Sequence, residues 1–463
     1  MEPTQEHDMK YVASSTLPVS VEEAFAYHER PGALQRLIPP WESVTIESSD
    51  NSLAVGSRVV LKTSLMGAPI KWVAKHTEYD PPHSFADTQL SGPFAVWDHR
   101  HIFQAAGSQS LLTDEIDFQL PLGPVGAALG SGAALAKIES MFAYRHRVTQ
   151  DDLSLHADHP MSKKRVAISG SSGLVGNQLG AMLTLFGHQV VPIVRKRSDT
   201  PEAIAAWSGD ADRLSGTDVV VHLAGKSIAS GRWSDAVKRE IRTSRVDKTR
   251  SLCESLSRLD KKPEVLICAS AIGIYGNRGN ELLDESSSIG DDFLAELARD
   301  WEAACQPALD AGIRVVNARF GLVLSPHGGA LKKMLIPAKF AGGALGDGKQ
   351  WWSWIALDDV LGAIYHAMAE PGLSGPVNLV SENPVTNRDF AKTLGRVIGR
   401  PAIFPAFAFM LRAAMGEMAD ALLLSSTRVE PGKLTQSGYH FRFDDLNEFL
   451  RYSLGYDRLE SVE

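Results

Sequence analysis

The sequence predicts an α/β protein: a doubly wound parallel sheet with a small C-terminal module, preceded by a separate α+β domain. Three observations carry this expectation. A short apolar run, Val166-Ala167-Ile168-Ser169, feeds directly into Gly170, Gly173 and Gly176, three glycines spaced three apart. After residue 165, strand-like apolar runs alternate with helical patterns, as in βαβ crossovers. Between residues 43 and 118, by contrast, six short alternating segments follow one another with no helix between them, and a long Ala-rich stretch closes the series. That is the plan of an antiparallel sheet able to curl around a last helix.

In chain order, residues 1–10 are polar and acidic and lack the apolar core of a signal peptide. A strand is expected over residues 10–15, a helical segment over 21–37, and strands over 43–46, 58–62, 70–76, 84–90, 98–105 and 110–118. A helix over 125–144 completes a first domain of residues 1–150. Residues 151–164, with Asp151, Asp152, Asp158, His159 and Pro160, are polar and aperiodic and predict a linker. His156 and His159 within it lack further ligands nearby, so no metal site is expected. Residues 165–398 form the doubly wound domain and 399–463 the C-terminal module. The most apolar window, residues 403–424, is interrupted by Arg412, Glu417 and Asp420 and reads as packed amphipathic helices, not as a membrane span.

A chain of 463 residues exceeds what one core holds, so several domains follow from size. A formal net charge of −8 argues against nucleic acid or an anionic membrane as the main partner. The three cysteines, Cys253, Cys268 and Cys305, have apolar neighbours and no metal-ligand spacing, which points to reduced thiols and a cytoplasmic setting.

The glycine turn has a chemical reading. Gly170 permits a tight turn, Gly173 lets backbone N–H groups approach a pyrophosphate, and Gly176 allows the following helix to pack close to the strand. Ser171, Ser172, Leu174 and Val175 complete the loop and the first helical turn, whose orphan N–H groups favour phosphate. This is a Rossmann-like dinucleotide turn. A second apolar strand, Gln189-Val190-Val191-Pro192-Ile193-Val194, ends at Arg195, followed by Lys196 and Arg197. A carboxylate there would accept a ribose 2′-hydroxyl, whereas Arg pairs with a 2′-phosphate; the alternative is a solvated basic turn, and the expected cofactor is NADP. A later strand runs from Asp218 into Leu223-Ala224-Gly225, and another from Val265 into Ser270-Ala271. Small residues at such strand ends leave room for a ligand.

With the runs Ser270-Ala271-Ile272-Gly273-Ile274-Tyr275-Gly276, Asn317-Ala318-Arg319-Phe320-Gly321 and Trp354-Ile355-Ala356-Leu357-Asp358-Asp359-Val360, residues 163–398 resemble an extended short-chain dehydrogenase/reductase. Gly290-Asp291-Asp292-Phe293-Leu294-Ala295, Arg299-Asp300-Trp301-Glu302 and Trp352-Ser353-Trp354-Ile355 narrow the resemblance to the SulA/YfcH-type epimerase family, an atypical branch. Gly416-Glu417-Met418-Ala419 and Ser426-Thr427-Arg428-Val429-Glu430-Pro431-Gly432-Lys433-Leu434 are similar to the tail of the same family. Phe25-Ala26-Tyr27-His28-Glu29-Arg30-Pro31-Gly32 and Pro39-Pro40-Trp41-Glu42 give the first domain a likeness to START-like, polyketide-cyclase-type domains. Such helix-grip folds commonly enclose an apolar cavity, which implies an apolar ligand. For the second domain the resemblance implies a small-molecule substrate and a cofactor site that includes Leu223, Ala224, Gly225, Arg245 and Phe320.

The resemblance also implies a catalytic Tyr with a Lys four residues on, but the segment in that place, residues 291–302, has neither at the required spacing. Tyr275 is followed four residues later by Gly279. The candidate catalytic residues are Ser270 and Tyr275, which either reach the nicotinamide edge and the substrate cleft or serve only to cap a strand and pack a loop. Arg299 and Glu302 read as a solvated helix face. Arg245 either meets a carboxylate or phosphate of a ligand or forms a salt bridge. Trp351, Trp352 and Trp354 form a cleft wall or a core cluster. Two functions fit: an NADP(H)-dependent oxidoreductase or epimerase-like enzyme, and an NADP(H)-binding regulatory protein without turnover.

Overall fold

The computed structural model describes residues 9–65, 67–196, 201–229 and 231–461; Arg197 and residues 1–8 lie outside these. The chain divides into two compact units. One comprises residues 1–160, 181–187 and 451–463, the other 161–180 and 188–450.

In the first unit, β1 (Met9–Leu17) is followed by α1 (Val21–Glu29) and α2 (Ala33–Leu37). There follow β2 (Thr45–Ser49), β3 (Arg58–Leu65), β4 (Ala68–Asp80), β5 (Ser84–Ser91), β6 (Val96–Ala106), β7 (Gln109–Gln119) and α3 (Gly123–Asp158). The strands form one antiparallel sheet in the order β1-β7-β6-β5-β4-β3-β2. The α+β plan is as expected. Ser20 caps α1 by accepting from Glu23 N, and Glu22 and Glu23 sit favourably in its first turn. Period-two alternation buries Ser110, Leu112, Asp114, Ile116 and Phe118 of β7 on one face, where Tyr11, Trp97 and the α3 residues Ile138 and Phe142 join them.

Two boundaries differ from expectation. Residues 151–158 of the expected linker continue α3. Their polarity is misleading, because Asp152 is fully buried and receives Arg36 bidentately at 2.9 Å through Nε and Nη2, with the Tyr27 hydroxyl also 2.9 Å away. Leu153 and Val148 anchor the same helix in the core. The C-terminal module also ends early: residues 451–463 belong to the first unit, where Tyr11 donates to Leu459 O and Ser140 to Gly455 O, both at 2.7 Å.

The second unit contains β8 (Arg165–Ser169), the first seven residues of α4 (Leu174–Leu185), β9 (Gln189–Ile193), β10 (Val219–His222), α5 (Asp235–Arg242) and α6 (Lys248–Ser257). The series continues with β11 (Val265–Ala271), α7 (Phe293–Ala303), β12 (Arg314–Phe320) and β13 (Gly375–Leu379). These strands form a parallel sheet in the order β13-β12-β11-β10-β8-β9. A lone parallel bridge from Ile193 to Ile204 extends its edge by one residue pair. Nearly every residue of β8, β10 and β11 is buried, as a parallel sheet covered on both faces requires. Strand order reverses at β8, so the crevice beyond the carboxyl ends of β8 and β10 is the topological switch point. Cys253, Cys268 and Cys305 are buried free thiols in this core. Among the described residues no helix is long and apolar enough to cross a membrane.

Candidate functional site

At the end of β8 the chain turns through Gly170, whose φ of +71° lies in the left-handed region. A Cβ on Gly170 would meet Leu223 C and Ala224 N at 3.0 Å, so the turn and the Leu223–Gly225 loop pack backbone to backbone. A Cβ on Gly176 would come within 2.4 Å of Gly170 O, which makes glycine obligatory where α4 passes over the turn. Gly173 differs: its nearest contact would be Gly170 O at 3.2 Å, and it is exposed together with Ser172. Ser171, Leu174 and Val175 are half-buried around it. No acidic residue occupies the first turn of α4.

Beneath this loop lies a polar group that sequence reading missed. Ser169 Oγ accepts from Leu223 N at 3.1 Å and Ala224 N at 3.2 Å, and meets His222 Nδ1 at 2.6 Å. His222 Nε2 is 3.0 Å from Thr249 Oγ1, which also receives Trp301 Nε1 at 2.9 Å. With two backbone donors already on its oxygen, Ser169 must donate to Nδ1, which leaves the His222 proton on Nε2. Burial alone holds the His222 pKa down to about 4. A serine and a histidine at the ends of neighbouring apolar strands were the available signal.

Arg195 stands exposed just beyond β9, and among the described residues no carboxylate pairs with it. Arg245 sits on a π-helical turn, Thr243–Asp247, inserted between α5 and α6. Its guanidinium carbon would be 3.2 Å from a Cβ on Gly225, it lies 5.1 Å from the Trp301 ring centroid, and its Nη1 donates to Lys226 O at 2.8 Å. No carboxylate among the described residues meets it, and desolvation lowers its pKa to about 10. The salt-bridge alternative is thus not realised. Phe320 lies half-buried at the end of β12.

Ser270 and Tyr275 are brought together, though not as a cleft-facing pair. Ser270 is 2% exposed and Tyr275 0%. Ser270 Oγ donates to Glu302 Oε1 at 2.7 Å, and Arg319 clamps the same carboxylate through Nε (2.8 Å) and Nη2 (2.9 Å). Arg319 Nη1 donates to Tyr275 Oη at 2.9 Å, and that hydroxyl donates to Asn378 Oδ1 at 2.7 Å. Burial raises the Tyr275 pKa, against the opposing pull of Arg319. Of the two alternatives for Tyr275, this geometry matches the packing one and not the cleft-facing one: its hydroxyl is sealed and partnered by Arg319 and Asn378. It corrects Glu302, which points inward to Arg319; on that helix it is Arg299 that stays exposed, pairing with Asp300 at 3.0 Å. Charged residues inside an otherwise apolar strand, such as Arg319, were the signal for this network.

Of the tryptophans, Trp352 and Trp354 are buried, and Trp354 donates to Asn383 O at 3.0 Å. Trp351 is half-buried, donates to Asn280 Oδ1 at 3.0 Å, and carries the Arg428 guanidinium 4.4 Å above its ring. Ser353 accepts from Val429 N at 2.8 Å and donates to Thr427 O at 2.9 Å, tying this segment to the C-terminal module.

A parallel sheet with a glycine turn at its switch point defines a dinucleotide-binding protein, here joined to an antiparallel sheet-and-helix domain. Residues 166–379 match the NAD dependent epimerase/dehydratase family, 17–141 the polyketide cyclase / dehydrase and lipid transport family, and 406–452 a domain of unknown function, DUF1731. The epimerase family protein Mb2239 of Mycobacterium bovis is 42% identical over 299 residues, covering 63% of this chain and 98% of that protein. A solved nucleoside-diphosphate sugar epimerase from Corynebacterium glutamicum superposes with a TM-score of 0.80 at 35% identity, over 97% of this chain and 91% of that one. Human epimerase family protein SDR39U1, solved with NADPH, gives a TM-score of 0.59 at 31% identity, over 63% of this chain and 99% of that one. The chain belongs to the NAD dependent epimerase/dehydratase family, with a START-like domain at its N-terminal end.

Proposed function

We propose that the α/β unit is an NADP(H)-dependent, epimerase-like oxidoreductase acting on a small molecule. The observation that carries the cofactor choice is Arg195 beyond β9, exposed and without a carboxylate partner among the described residues. The residues present fit the group. Gly170, Ser171, Ser172, Gly173, Leu174, Val175 and Gly176 would hold the pyrophosphate, Arg195 the 2′-phosphate, and Leu223, Ala224 and Gly225 the adjoining ribose side. When bound, NADP(H) supplies or accepts a hydride at a carbon bearing oxygen. Arg245, next to Gly225, would hold an anionic group of the cofactor or substrate, and Phe320 would pack beside it. The relative solved with NADPH supports this reading.

Ser270 and Tyr275 belong in this proposal as positioning residues. Through Glu302, Arg319 and Asn378 they tie the ends of β11, β12 and β13 into one frame. The N-terminal unit would hold an apolar small molecule, as its family match to lipid transport proteins suggests. The buried thiols support a reducing, cytoplasmic setting.

A second reading, an NADP(H)-binding regulatory protein without turnover, is favoured by the sealed Tyr275 hydroxyl and the absent Tyr/Lys spacing. Titration of the full chain with NADPH and NADH tests the cofactor. A charge-assisted contact of about 1.5–3 kcal/mol predicts roughly tenfold to hundredfold tighter binding of NADPH, abolished in Arg195→Ala. Equal affinity for the two cofactors would overturn it. NADPH oxidation across a panel of carbonyl compounds and sugar nucleotides separates the two readings.

A further inference from the structure

The interior face of the N-terminal sheet holds a cluster that neither the family matches nor the proposed function uses. His76 of β4 is in register with Asp87 of β5, and Asp87 with His99 of β6. His101, two residues further along β6, lies on the same face and opposite Asp114 of β7. In β7 the other inward residues are Ser110, Leu112, Ile116 and Phe118, so Asp114 is an acid in a largely apolar row. Burying this many ionisable groups is costly unless they do something together.

We infer that Asp87, His99 and His101 form a binding site for one divalent first-row transition-metal ion. One ligand atom from each residue lies within 4.8 Å of the other two. Asp87 Oδ2 and His99 Nδ1 are 3.5 Å apart. That is long for a hydrogen bond, yet close to the ~3.3 Å edge of a tetrahedron with metal–nitrogen bonds of about 2.0–2.1 Å. Asp114 supplies the outer support such a site needs. Its Oδ1 meets His99 Nε2 at 2.9 Å, which orients the ring with Nδ1 toward Asp87, and its Oδ2 meets His146 Nε2 at 2.6 Å. His101 Nδ1 is 2.5 Å from the same Oδ1, a contact that does not have hydrogen-bond geometry.

The cluster is also incompletely satisfied as a purely structural network. His76 is 8% exposed, and its Nδ1 is buried with no hydrogen-bond partner among the described residues. Asp87 and His101 keep 17% and 12% of their side-chain surface exposed, so an ion has a route in. Two imidazoles and one carboxylate suit zinc or ferrous ion and leave a position for water or an oxygen of a ligand held within this domain.

Calorimetric titration of the chelator-stripped full chain with Zn(II), and anaerobically with Fe(II), tests this and ranks the two ions. One ion per chain should bind. Asp87→Asn and His101→Gln should each weaken binding by more than the roughly 10–100-fold typical of losing an outer-shell partner, while His156→Gln leaves it unchanged. Absence of saturable binding of either ion, or stoichiometric binding that survives both ligand substitutions, overturns the site. Should the variants unfold, Cu(II) bound to the wild-type chain decides by pulsed electron paramagnetic resonance: coupling to two imidazole nitrogens supports the site, and its absence overturns it.

Discussion

Ser169 and His222 stand at the ends of adjacent parallel strands with Oγ and Nδ1 2.6 Å apart, and the same serine oxygen holds the backbone of Leu223 and Ala224. The loop opposite the glycine turn is thus set by a neutral histidine. In the unfolded chain an imidazole protonates near pH 6.5, whereas burial keeps His222 unprotonated until about pH 4. The unfolded state therefore binds the proton first as pH falls. The His222 contribution to stability is complete above about pH 6.5 and is lost on the way down to pH 4. It amounts to about 3 kcal/mol. In urea unfolding, His222→Gln should lose correspondingly less stability than the wild type between pH 6.5 and 4, and the His222 ring resonances should show no titration above pH 5.

The glycines separate two kinds of failure. Gly176→Ala pushes a methyl to within 2.4 Å of Gly170 O and should distort the turn itself. Gly173→Val asks Gly170 O, 3.2 Å from the new Cβ, to give by only a few tenths of an ångström, but places a branched side chain where the pyrophosphate would lie. Both should abolish NADPH binding followed by cofactor fluorescence, and only Gly176→Ala should also lower the melting temperature of the α/β unit. Unchanged NADPH affinity in Gly173→Val would remove the turn from the cofactor site.

Arg319, itself buried, forms a bidentate ion pair with Glu302, whose side chain is 13% exposed. Glu302→Gln keeps the shape and the acceptor for Ser270 but leaves the Arg319 cation without its countercharge. Breaking a fully buried pair from one side costs about 3–5 kcal/mol, and the partial exposure of Glu302 sets this as the upper bound of the loss that chemical denaturation should show. A loss under about 1 kcal/mol would mean that the pair is solvated in solution.

Tyr275→Phe removes a hydroxyl that links Arg319 to Asn378. Two buried polar groups then each lose a partner, for about 1–3 kcal/mol of stability. Turnover, if the protein catalyses, should fall by less than the roughly 10²–10⁴-fold typical of losing a general acid or base, and Ser270→Ala should behave alike. A larger collapse of rate with the fold and NADPH affinity intact would return Tyr275 to the role of catalytic acid.

What the sequence determined by itself is local: period-two strands in the first unit, the glycine turn with its strand and helix, and Arg195 in place of an acid just beyond β9. Each depends on steric and periodic rules that act within a few residues, so each is legible without knowing what packs against it. Tertiary structure decided the rest. Asp152 reads as linker polarity until Arg36, more than a hundred residues earlier, neutralises it and lets α3 run on to Asp158. Glu302 reads as a solvated helix face until Arg319 arrives from a neighbouring strand, and Tyr275 as a candidate acid until Asn378 Oδ1 accepts the hydrogen bond its hydroxyl donates. Asp87, His99, His101 and Asp114 are unremarkable in the chain and become a cluster only when three antiparallel strands bring them into register. Whether a charge belongs to solvent or to a buried partner is a property of distant segments meeting, and no short stretch of sequence contains it.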